Sequence, residues 1–399
     1  MVNAPSARLR ARPCRAGTAG LSFRQHGPAA VWSDLTGDGQ LAEQAILHIG
    51  MHKTGSSTIQ GALARAGAGP GWRYVWQGSP NGSFWVKAVL DGEAGGHHTL
   101  PFPPAEARAR FIEAFRLVAE RRAIFSGETM STLSAPRVAT IVEILQAADL
   151  AVAAIGYVRP IQSYIDSSFQ QRLKGGRVAL ADAVRPKAIA YDQRFGVWDA
   201  ALGQAAVTLV PFERQRFPGG SVLGDIAARL SLGPIQDPAS HANTGLSAEA
   251  VRLLWIWRQR QPRKGQGDEH RIRLLQTLEG PGFVLANRVV DPFRATIRAQ
   301  AEWVERRTGW RMPTDPPEDQ PHAVGAEADF LTLAPDTLDW LGAQTGVAPA
   351  QMKDDPDAVA AAMAVLGRQP PGQGASALGK ASRALGARIW PWSRSGRRV

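Results

Sequence analysis

The chain has a single cysteine, Cys14, in 399 residues. That excludes an intramolecular disulfide and any site built from several cysteines, such as a zinc ribbon or an iron–sulfur cluster. There is no run of about 18 apolar residues, the length that a membrane-crossing helix needs. The arginine-bearing N-terminus is not followed by an apolar core, so no secretory signal is expected and a reducing cytoplasm fits best. Lysine is scarce, at seven of the 46 basic residues. That skew, with abundant alanine and glycine, points to a GC-rich bacterial gene.

Acidic residues are missing from both ends. Arg8, Arg10, Arg12, Arg15 and Arg24 stand in residues 1–33 with no acid among them, and Arg368, Lys380, Arg383, Arg388, Arg394, Arg397 and Arg398 follow the last acid, Asp357. These twelve charges exceed the net charge of +11, so the body between them is close to neutral. A near-neutral body argues against nucleic acid as the main partner. The tails, rich in Ala, Gly, Pro and Ser, are expected to be poorly ordered. Trp390 and Trp392 among arginines suit peripheral contact with an anionic membrane face.

What is present is enough for a sizeable core, with 44% hydrophobic and 20% charged residues. Strands are expected at Ala45–Ile49, Trp72–Trp76, Arg122–Ser126, Ala151–Val158 and Val207–Phe212. Helices are expected from Ser57, over Ala105–Ala119, Pro136–Ala148, Tyr191–Leu202 and Ser247–Arg258, and in the segment after Pro160. Residues 77–103 read as a loop. The near-continuous apolar run Ala151–Val158 suits a strand covered on both faces. Alternating strands and helices predict an α/β fold of P-loop type, with a central parallel sheet flanked by helices and a mostly helical C-terminal part. The expected division is a basic tail over 1–40, an α/β domain over 41–312, a Pro-rich linker with short helices over 313–369, and a basic tail over 370–399.

In such sheets ligands bind beyond the carboxyl ends of the strands. The first strand runs into Gly50-Met51-His52-Lys53-Thr54-Gly55-Ser56-Ser57-Thr58. Two glycines five apart, then hydroxyl residues opening a helix, make a phosphate cradle of backbone amides. The lysine is displaced from the position a P-loop NTPase uses: Ser56 stands directly after the second glycine, and Lys53 lies inside the loop. The strand Ala151–Val158 ends in Arg159 rather than a magnesium-holding Asp, and an arginine there can grip a phosphate bidentately. Ser163, Ser167 and Gln170 follow at about one-turn spacing, which predicts one helix face. Arg159 and Ser167 are the expected clamp on one phosphate.

This pairing of loops resembles that of the bacterial sulfotransferases that use 3′-phosphoadenosine 5′-phosphosulfate (PAPS). The likeness rests on Lys53-Thr54-Gly55-Ser56-Ser57 as the 5′-phosphosulfate loop and on Arg159 with Ser167 as the 3′-phosphate motif. Looser support comes from Tyr191 and Trp198, Val210-Pro211-Phe212-Glu213 and Asn243–Ser247, so the resemblance covers roughly residues 44–260. Arg263-Lys264-Gly265-Gln266-Gly267 is one residue short of the eukaryotic family's closing loop and is read as a helix–helix linker.

The resemblance implies transfer of a sulfuryl group from PAPS to a hydroxyl or amine of a small-molecule, carbohydrate or lipid acceptor, with no metal expected. It implies Gly50, Lys53, Thr54, Gly55, Ser56, Ser57, Thr58, Arg159 and Ser167 as cofactor-binding residues, with Lys53 also neutralising charge on the departing phosphate. Glu128, after the strand Arg122–Ser126, is the first candidate for general base, and His52 the second. His48 reads as a packed core histidine, and His97-His98 as a solvated pair. Phe84, Trp85 and Phe102 are candidates to cover an acceptor. Two other readings stand beside this one: a P-loop kinase or other nucleotide-dependent enzyme, and a non-enzymatic, basic-tailed membrane-surface protein.

Overall fold

The computed structural model describes residues 44–92, 100–116, 122–235, 245–314 and 319–368. The tails 1–40 and 370–399, His97, His98, Asn243, Trp390 and Trp392 lie outside the described residues. Six strands form one sheet: β1 (Gln44–His48), β2 (Ala68–Gly69), β3 (Trp72–Tyr74), β4 (Arg122–Ser126), β5 (Ala151–Val158) and β6 (Val207–Pro211). Their order is β2-β3-β4-β1-β5-β6, parallel throughout except for the β2–β3 pair. In register, Ile46 lies between Ile124 of β4 and Ala153 of β5. Ala45, Ile46, Leu47 and Ala153–Val158 are all buried, and so is His48 at the end of β1. That is the pattern a parallel strand covered on both faces requires.

The connecting helices are α1 (Ser56–Ala66), α2 (Ser83–Asp91), α3 (Ala107–Arg116), α4 (Ala135–Gln146), α5 (Ile161–Gly175), α6 (Pro186–Ile189), α7 (Tyr191–Leu202) and α8 (Val222–Arg229). The α1 crossover leads one way along the sheet, from β1 to β3, and the α4 crossover leads the other way, from β4 to β5. Right-handed crossovers therefore put α1 and α4 on opposite faces. The connections that leave β1 and β5, neighbours in the sheet, run in opposite directions, which opens a crevice between their carboxyl ends.

The C-terminal part adds α9 (Ala248–Arg260), α10 (Asp268–Leu275), α11 (Asn287–Val290), α12 (Arg294–Thr308), α13 (Pro335–Thr345), α14 (Pro349–Met352) and α15 (Pro356–Leu366). Ser247 caps α9, its side chain accepting the Ala250 amide as N-cap serines do. Helices α13 and α15 belong to the same packing: α15 lies on α9, and Phe330 stacks on Trp255 with ring centroids 4.6 Å apart.

Two expectations are corrected. The strand expected over Trp72–Trp76 ends at Tyr74. The loop expected over 77–103 contains α2, because Trp85, Val86 and Ala88 bury one face of that segment. Trp85 stacks edge-on against Phe111 and Phe125 and touches Phe102, so it is a core residue and not an acceptor cover.

Candidate functional site

The turn after β1 is built on left-handed backbone. Gly50, Lys53 and Gly55 have φ of 71°, 69° and 79°. At Gly55 a Cβ would come within 2.7 Å of Val222 Cγ1, and at Gly50 within 2.9 Å of the Glu128 Cα. Glycine is thus required twice over, by conformation and by contact. The buried hydroxyls of Thr54 and Ser56 both donate to the Met51 carbonyl, at 2.7 and 3.3 Å, and hold the loop from inside. Gly55 is the N-cap of α1, and its carbonyl accepts first from the Ile59 amide. The amides of Ser56, Ser57 and Thr58 are therefore free of helical partners at the positive end of the helix. The Ser57 side chain is exposed and that of Thr58 half-buried.

Arg159, at the end of β5, reaches across the crevice. Its Nη1 donates to the Lys53 carbonyl and its Nε to Ser163 Oγ, each at 2.8 Å. The Arg159 carbonyl in turn accepts from the Tyr191 hydroxyl at 2.8 Å, which fixes the turn against α7. Lys53 Nζ donates to Gln171 Oε1 at 2.6 Å. Burial and the neighbouring Arg159 lower the Lys53 pKa, while Glu128 opposes them. Lys174, one turn beyond Gln171, is pushed down to about 8 by burial and by the charge of Lys53.

The opposite wall comes from the end of β4. The Glu128 amide donates to Asn81 Oδ1 at 3.3 Å, and its half-buried carboxylate has no hydrogen bond or ion pair among the described residues. His52 is held below its ordinary pKa by burial, and by Arg194 and Lys53, against the pull of Glu128. That shift favours the neutral imidazole, the form that can accept a proton. His48 is a core residue as expected: fully buried, with Nδ1 2.7 Å from Ser126 Oγ, and its pKa lowered to about 4 by burial.

Comparison with protein-family models, with curated proteins and with solved structures returned no match.

The structure brings Gly50, His52, Lys53, Gly55, the start of α1, Glu128 and Arg159 to one end of the sheet. Arg159 bonds to Ser163, and Ser167 lies one turn further on. Gln170 faces away: it is buried, and its Oε1 accepts the Leu246 amide at 3.0 Å. The face of α5 turned to the loop holds Gln171 instead, since spacings of four, not three, continue from Ser163 and Ser167. Arg263–Gly267 joins α9 to α10 as the expected linker, with Gly265 bonded to Asp268 and Lys264 paired with Glu269.

Sequence reasoning missed Gln171, Lys174, Arg194 and Arg214. Gln171 was signalled by the four-residue spacing from Ser163 and Ser167, and Lys174 by lying one turn beyond it. Arg214 was signalled by following β6, and it lies near enough to Arg159 to depress its pKa. Arg194, inside α7, had no motif to mark it.

Proposed function

We propose that the chain is a PAPS-dependent sulfotransferase acting on a hydroxyl or amine. The observation that carries this reading is the bond from Arg159 to the Lys53 carbonyl across the crevice between β1 and β5. It couples two cationic groups that repel each other, beside Lys174 and near Arg214. Such a cluster of cations, with only Glu128 opposing them at Lys53, suits a ligand with several negative charges. A nucleotide with separate 5′ and 3′ anionic groups fits that set: free α1 amides and Lys53 on one side, Arg159 on the other.

PAPS supplies the activated sulfuryl group. Sulfuryl transfer leaves little covalent work for the protein, so positioning and charge stabilisation dominate. Lys53 offsets negative charge at the departing phosphate. Glu128 has a free carboxylate and takes the acceptor proton; His52, neutral and adjacent, is the second candidate. Thr54 and Ser56 act by holding the loop, because their hydroxyls are committed to Met51.

A phosphoryl-transfer reading has one observation in its favour: Glu128 ends the strand beside β1, where a magnesium-holding acid can stand in an NTPase. Calorimetry with 3′-phosphoadenosine 5′-phosphate (PAP) and with ATP–magnesium separates the two. Tighter binding of PAP, and turnover without magnesium, are expected. Preference for ATP–magnesium would overturn the proposal.

A further inference from the structure

Among the described residues, Arg194 is a cation without a counter-ion. Only 7% of it is exposed. Its Nη2 donates to the Ala188 carbonyl at 3.0 Å and to the Tyr164 hydroxyl at 3.3 Å, and the guanidinium lies over the Tyr164 ring at 5.3 Å. Its Nη1 is buried with no hydrogen-bond partner, and no carboxylate pairs with it among the described residues. A buried charge left unpaired is costly, and in folded proteins it normally finds an anion. The groups around it on α5, α6 and α7 give it only neutral oxygens and a ring.

Its place in the fold says which anion. Helix α7 packs on the turn Glu128–Thr132 and, through Tyr191, on the Arg159 carbonyl. Arg194, one turn after Tyr191, is close enough to His52 to depress its pKa. It is thus within electrostatic reach of His52, on the helix that borders the turn carrying Glu128. Ser131 Oγ, in the turn that carries Glu128, is also buried without a partner, a second polar atom left unsatisfied where α7 meets that turn.

We propose that Arg194 forms the floor of the acceptor subsite and selects acceptors bearing an anionic group close to the hydroxyl or amine that is modified. This rests on the sulfotransferase reading. The shared chemistry, an anion on Nη1, has two sources: a charged group of the acceptor, or the sulfuryl group of the donor. The acceptor is favoured because α7 borders Glu128.

The test titrates PAP-saturated protein with acetate and with its neutral analogue acetamide, followed by ligand-observed NMR. Acetate is expected to bind at least tenfold tighter. Arg194→Gln should abolish that preference, and Arg194→Lys should keep part of it. PAP affinity within about twofold of wild type shows that the variants are folded. Equal binding of the two probes by the wild type, or a preference that survives in Arg194→Gln, overturns the proposal. If Arg194→Gln weakens PAPS but not PAP, the anion is the donor's sulfuryl group and the acceptor assignment falls. If PAP does not bind while the PAP-free protein still prefers acetate, the sulfotransferase reading falls and the anion site stands.

Discussion

Replacing Arg159 by alanine removes two things at once. One is the proposed charge-assisted contact to a phosphate, which would be worth about 1.5–3 kcal/mol. The other is the strut to the loop, made of the 2.8 Å bonds to the Lys53 carbonyl and Ser163, each worth about 1 kcal/mol. Only the bond to Lys53 positions the ligand, so the loss in PAP binding should be about 2.5–4 kcal/mol, roughly a seventy- to nine-hundred-fold rise in Kd. Arg159→Lys keeps the charge, but a single ammonium cannot serve the Lys53 carbonyl, Ser163 and a phosphate together. It should fall between the two. Isothermal titration with PAP reads the effect, and a thermal melt separates it from loss of fold. A Kd for Arg159→Ala within threefold of wild type would refute the placement of Arg159 at a phosphate.

Glu128→Gln should leave PAP affinity near wild type while turnover falls roughly 100-fold or more, as for a lost general base; full turnover would pass the role to His52, tested by His52→Gln. Gly55→Ala should destabilise the fold by at least about 1 kcal/mol through its positive φ, and Val222→Ala should recover the steric part alone, as denaturant midpoints will show. Asp166 is buried on α5, and burial raises its pKa to about 7. A carboxyl raised in the folded state stabilises fully below its unfolded pKa near 4, and that contribution is lost as pH rises through 7. Asp166→Asn should therefore gain about 4 kcal/mol relative to wild type between pH 4 and pH 8, measured by chemical denaturation; a pH-independent difference would exclude the linkage.

The sheet was legible because a buried parallel strand leaves an unmistakable apolar run. Residues 151–158 and 191–202 coincide with β5 and α7. The loop Gly50–Thr58 was legible because left-handed backbone asks for glycine at fixed places. Helix α2 was not, since glycine, proline and histidine on both sides outweighed a short face that only Phe111 and Phe125 make into a core. Gln171 and Gln170 differ by one residue, and a hundred-degree turn of α5 decides which meets Lys53. Arg194 was invisible because an arginine in mid-helix reads as surface. Its burial is set by Tyr164 and by residues 186–190, which periodicity within α7 cannot report.

Arg258 has a consequence for how the chain holds together. It is fully buried at the end of α9 and donates to the last carbonyls of α5, at Leu173 and Lys174, at 2.9 and 2.6 Å. It pairs with Asp268 of α10, which also pairs with Arg271, and Arg271 donates to the Met363 carbonyl of α15. The helix that presents Ser163 and Gln171 is therefore anchored at its far end by Arg258, 85 positions after Leu173, which α10 and α15 in turn support. A cut at residue 312 would remove α15, which packs on α9 and accepts from Arg271. The body should therefore melt as one cooperative unit, and equal calorimetric and van't Hoff enthalpies in a calorimetric scan would check it.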